Sequence, residues 1–135
     1  MLYLILYYTT QAMLPNINFI YLGALVLILM DLEYAGRFWT GFEAYLAMMT
    51  PTPDGLVGTS GAKRRYIIEC MHGTNQHYGK ALELQWLQCT AQTAHKELSA
   101  DAIVVTNKSD KETQLPKILA FNAQVMEAMV SQAKT

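Results

Sequence analysis

The chain has 135 residues, of which 52% are hydrophobic and only 16% charged. That is enough for one domain, residues 1–135, with a real core. Ten basic against eleven acidic residues give a formal net charge of −1, so no field gathers nucleic acid or anionic lipid.

The apolar excess is compatible with a buried parallel sheet, a surface hidden against a partner, or a membrane segment. The longest uncharged apolar stretch, residues 19–30, is shorter than the roughly 20 residues a spanning helix needs. Asp31 and Glu33 follow at once. A small membrane-associated protein anchored through 19–30 is therefore kept only as a third reading, and membrane association is not the expectation. Two cysteines, Cys70 and Cys89, make no disulfide framework, which fits a reducing, cytoplasmic setting.

In chain order, residues 2–8, "LYLILYY", read as a buried strand. Residues 11–24 place Met13, Leu14, Ile17, Ile20, Tyr21 and Ala24 at helical spacing, and Pro15 sets the helix start near Leu14. Residues 25–30, "LVLILM", show no polar alternation, as expected of a strand covered on both faces in a parallel sheet. From 37 to 49 a broad apolar face of Phe38, Trp39, Phe42, Tyr45, Leu46 and Met49 predicts a helix. It stops at "TPTPDG", and residues 50–63 read as a loop. "KRR" at 63–65 reads as a solvated strand entrance.

"RYIIECMHG" predicts the next strand. A helix over about 78–98 is expected from Leu84, Leu87, Ala91, Ala94 and Leu98. "DAIVVTN", residues 101–107, predicts another strand, and 113–132 a last helix with Leu115, Ile118, Leu119, Val125, Met126, Met129 and Val130 inward. The order β-α-β-α-β-α-β-α argues for an α/β fold with a mostly parallel sheet of about four strands flanked by helices.

Strand 25–30 delivers Asp31 to its carboxyl end, where open parallel sheets bind ligands. Glu43 lies one helical turn after Trp39, on a face shared with Phe42 and Leu46. A carboxylate among aromatic neighbours loses solvation, and its pKa rises. The plainer reading is that Glu43 pairs with Arg37 or lies at the border of the buried face. His72, after the strand at 65–70, is a candidate lining residue of the same crevice.

"TNKSD", residues 106–110, matches the N-K-x-D that reads guanine, but no phosphate-cradling G-x-x-x-x-G-K-[ST] accompanies it. Its plainer role is a helix start, capped by Ser109 or Asp110. Cys70, His72 and His77 fall within eight residues without a second cluster to complete a zinc site, so no metal is assigned. Cys70 and His72 share a strand face without facing each other, and no third group orients them as a nucleophile pair.

"VLILMDLEYAGRFWTGFEAYLAM" resembles the second half of a TIR or TIR-like domain, the group that includes heterokaryon-incompatibility-type modules. The pattern is a buried strand, a loop with a Tyr, then a helix opening with Trp and carrying Glu four residues later. Here these are Tyr34, Arg37, Trp39 and Glu43. "YLILYYTTQ" is similar to the family's second strand, "LPNINFIYLGA" to the helix after it, "RYIIECMHG" to the fourth strand and "AIVVTN" to the fifth.

The resemblance implies a flavodoxin-like fold lacking the family's first strand and helix. It implies a protein-interaction and signalling module that associates with its own copies or with another TIR-like protein. It also implies an alternative: an NAD glycohydrolase with Glu43 as catalytic carboxylate, and with Asp31, Tyr34, Arg37, Trp39 and His72 around the nucleotide. NAD is then a substrate, and no resident cofactor is expected. A carboxylate on the ribose hydroxyls would stabilise the oxocarbenium-like charge of glycosidic cleavage. Two departures stand out. "ILYYTTQ" lacks the Asp that often ends the second strand of incompatibility-type relatives, and Thr40 stands where many members carry Cys.

Overall fold

The computed structural model describes residues 17–59 and 61–132. The strand expected over 2–8 and the helix start near Leu14 lie outside the described residues. Helix α1, Ile17–Gly23, buries Asn18 and Leu22 one turn apart and ends at a glycine. Strand β1, Val26–Met30, follows, and a 3-10 turn at Tyr34–Gly36 leads into helix α2, Phe38–Met48.

α2 is the centre of the molecule. Phe38, Phe42, Ala44, Tyr45, Leu46, Ala47 and Met48 are almost wholly removed from solvent. Such a helix, apolar nearly all round, has to be enclosed by other elements. α1, helix α3 (Gln76–Leu87) and helix α4 (Ala91–Ser99) pack against it.

β1 pairs in parallel with strand β4, Tyr66–Cys70, in the register Val26↔Tyr66 through Met30↔Cys70. The expectation that residues 25–30 are covered on both faces is corrected here. Alternate side chains of a strand point to opposite faces. Ile28, Met30 and Tyr66 face the core, whereas Leu27 is 58%, Leu29 49% and Ile67 45% exposed. The layer against the second face is missing among the described residues, although the composition of the strand was apolar throughout.

Residues 50–63 are not all loop. Met49–Thr52 (β2) and Gly55–Gly58 (β3) form an antiparallel hairpin with Thr52 opposite Gly55. Pro51 lies opposite Leu56, at a position whose backbone points out of the ladder, so its missing N–H removes no strand pairing. The Leu56 N–H donates instead to Asn122 Oδ1 at 2.8 Å. Gly55 supplies a φ of 103° at the turn, which a side-chain-bearing residue adopts only with strain.

The helix expected over 78–98 is two helices. The Asn75 side chain caps α3 by accepting from the His77 N–H, and Thr90 caps α4 by accepting from the Thr93 N–H. The buried positions of α3 are Gly79, Leu82 and Trp86, with Leu84 exposed, so the apolar phase shifts between the two helices.

Residues 101–107 form no strand. Val104 makes a single parallel bridge to Arg37, donating to Gly36 O and accepting from the Phe38 N–H, both at 2.8 Å. This segment therefore fastens the start of α2 and leaves β4 without a second neighbour among the described residues. The last helix, α5, runs Lys108–Gln132 with Pro116 inside it. Asn107 caps it in place of Ser109 or Asp110, its side-chain oxygen accepting from the Ser109 N–H at 3.2 Å. Ile118 and Phe121 bury against the core, while Leu119, Met126 and Val130, expected inward, are exposed. The fold is α/β, with one parallel strand pair and one antiparallel pair rather than a parallel sheet of about four strands.

Candidate functional site

The residues singled out by the sequence fall into three places. At the carboxyl end of β1, Asp31, Glu33 and Arg37 form a surface cluster. Arg37 Nη2 lies 2.5 Å from Glu33 Oε2 and 3.7 Å from Asp31 Oδ2. Asp31 Oδ1 also accepts from the Glu33 N–H. Arg37 is thus committed to these two acids, and the plainer reading in which it neutralises Glu43 is excluded. The hydrogen bond to Glu33 and the charge of Asp31 raise the Arg37 pKa further.

His72 stands at the same end of the strand pair, in the turn after β4, with a φ of 51° and an exposed ring. The turn is tied to β1 by Thr74, whose hydroxyl donates to Met30 O at 2.8 Å.

Glu43 sits half-buried on α2, turned toward α1. Tyr21 of α1 donates a hydrogen bond to its carboxylate, and Tyr34, buried in the 3-10 turn, brings a second phenol within electrostatic reach. Burial raises the Glu43 pKa, and the Tyr21 hydrogen bond opposes that rise. The Tyr21 hydroxyl is pushed up to about 12, first by burial and then by Glu43. Tyr34 is raised by burial and by the same carboxylate. Thr40 holds the turn in place by donating to Tyr34 O at 2.6 Å. A carboxyl group between two phenols can hold or pass a proton, or accept hydrogen bonds from a polyol.

Trp39 points elsewhere. Its indole N–H reaches Asp110 Oδ2 at 3.4 Å, at the start of α5, and its ring packs edge-on against Phe38 and Phe42. The structure therefore joins Glu43 with Tyr34 and with Tyr21, and separates both from Trp39 and from the Asp31–Arg37 cluster. Tyr21 was legible only as a core-facing helix residue; nothing in its spacing from Glu43 announces the contact.

Among the described residues, no three of His, Cys, Asp and Glu gather as a metal set. Cys70 and Cys89 are free thiols. No helix among the described residues is long and apolar enough to cross a membrane. Residues 19–30 are divided between α1 and β1.

A cavity of about 650 Å3 opens along the outer side of β4, lined by Arg64, Ile67, Cys70, Gly79, Lys80 and Glu83 among others. Compared with known proteins, the chain matches no family model, no curated protein and no solved structure.

Proposed function

We propose that the chain is a TIR-like interaction module that works by contact with further copies of itself or with another TIR-like protein. The observation that carries this reading is the bare face of the parallel pair, where Leu27, Leu29 and Ile67 stand exposed side by side. Contiguous apolar surface of this kind marks association sites in proteins that are otherwise water-facing. The side-by-side parallel pairing of 26–30 with 66–70 supports the resemblance, which assigns these segments to neighbouring strands. Sedimentation over a concentration series tests the reading. Wild type should associate reversibly, and Leu27→Lys with Leu29→Lys should weaken association without changing the far-ultraviolet spectrum. A wild type that stays monomeric at its highest soluble concentration, alone and with TIR-like partners, would overturn it.

A second reading is favoured by one observation, the desolvated Glu43 between two phenols. In that reading the carboxylate binds ribose hydroxyls and the protein cleaves the nicotinamide–ribose bond of NAD. Nicotinamide release by the wild type and its loss in Glu43→Gln would support it; equal release, or none, from both would retire it.

A further inference from the structure

The backbone parity of β4 shows which of its polar groups are used. The Val26 N–H donates to Arg65 O and the Met71 N–H donates to Met30 O, both at 2.8 Å. In a parallel ladder this means that Arg65, Ile67, Glu69 and Met71 turn their N–H and C=O groups toward β1. The corresponding groups of Tyr66, Ile68 and Cys70 point the other way, and β4 has no second strand neighbour among the described residues. They open into the cavity of about 650 Å3 between this edge and α3. Gly79 keeps α3 low over the strand, since a Cβ there would lie 3.3 Å from Ile68 and 3.4 Å from the Cys70 sulfur.

A row of free donors and acceptors beside a groove is a template for an added strand. We infer that this edge pairs antiparallel with β4 of a second copy, about a two-fold axis through Ile68. The inference rests on the interaction-module reading and names its partner. The free groups are themselves symmetric about Ile68. Ile68 would exchange both hydrogen bonds with Ile68 of the second copy, and Tyr66 would lie opposite Cys70 of that copy. Every outward group of the three residues then finds a partner.

On the bare face the same register sets Glu69 opposite Ile67 and keeps the two Glu69 side chains from meeting directly. The ionisable groups at the cavity, Arg64 and Lys80 with Glu69 and Glu83, balance in sign, so the approach of an identical edge meets no net like charge. The two-fold keeps both sets of helices on one side, and the bare faces join into one apolar surface around Leu27, Leu29 and Ile67.

Two measurements test the register. The first is backbone amide exchange in the full chain at low and high concentration. The Ile68 and Cys70 amides should become protected as the protein associates. The second uses Cys70→Ser, Cys89→Ser protein carrying either Ile67→Cys or Glu69→Cys. Residues 67 and 69 are opposite across the two-fold, so an oxidised mixture should yield linked dimer faster than either variant alone. If wild type associates but these amides stay unprotected and the mixture links no faster than the single variants, the edge pairing is overturned while the interaction reading stands. If wild type does not associate with itself, the edge pairing falls, and the interaction reading then rests on a different TIR-like partner.

Discussion

The Arg65 guanidinium donates to the backbone carbonyl of Ala24 at 3.2 Å. The same side chain reaches Tyr21 O at 3.4 Å and the carbonyl of Met49. One cation thus closes the last carbonyls of α1 and joins that helix to the start of β2 and the approach to β4. No carboxylate is recorded against it, and burial lowers its pKa. Arg65→Met keeps much of the stem packing but leaves three carbonyls without this donor. Loss of such charge-assisted bonds should cost about 1.5–3 kcal/mol. Arg65→Lys, a point donor without the fork, should recover only part of it. Urea midpoints at constant slope measure both.

The order of helices and strands was largely legible because apolar spacing reports burial on one face. α2 was read to within a residue or two, since Phe38, Phe42, Tyr45 and Leu46 repeat at helical steps. What failed were features set by partners distant in sequence. The hairpin at 49–58 was hidden by its prolines, because the Asn122 that receives the Leu56 N–H lies far along the chain. Val104 looked like a strand residue, and it does make one bridge, but to Arg37. The break at Thr90 was visible only as a cap, within an apolar repeat that continued across it. At the candidate site, the desolvation of Glu43 followed from its aromatic neighbours. The identity of its hydrogen-bond donor did not, because Tyr21 belongs to another helix.

Stability should fall with rising pH through the titration of Glu43. Its folded pKa lies above its ordinary value because of burial. Between those two values the folded chain holds more protons than the unfolded one, so the slope of stability against pH is negative. The favourable contribution is complete below the ordinary carboxylate range and is lost as pH passes the raised value. Glu43→Gln should flatten this part of the profile. Tyr21→Phe, which removes the bond that opposes the rise, should steepen it. Denaturation midpoints of the three proteins between acid and neutral pH supply the comparison.

Phe38 should matter more to stability than Trp39. The sequence favours Trp39 as the larger buried ring, yet it is only half-buried, while Phe38 is fully enclosed. Phe38→Ala should cost about 3–5 kcal/mol, enough to unfold a marginal domain. Trp39→Ala should fall below that range, since part of its ring already meets water. Thermal melts ranking Trp39→Ala as the more damaging change would contradict the placement of α2.

Tyr45 carries a polar atom the core does not use. Its ring is wholly buried and meets Trp86 edge-on at 5.9 Å, and its hydroxyl has no hydrogen-bond partner. Burial raises its pKa strongly, so it stays a neutral phenol. A buried hydroxyl without a partner loses its hydration and gains nothing in return. Tyr45→Phe keeps the ring and its contact with Trp86 while deleting that unsatisfied group. It should therefore leave stability unchanged or raise it by about 1 kcal/mol, whereas Tyr45→Ala should cost several times as much by opening a cavity beside Trp86. A loss of more than about 1 kcal/mol in Tyr45→Phe would mean that the hydroxyl holds a bond, and that α2 sits differently against α3.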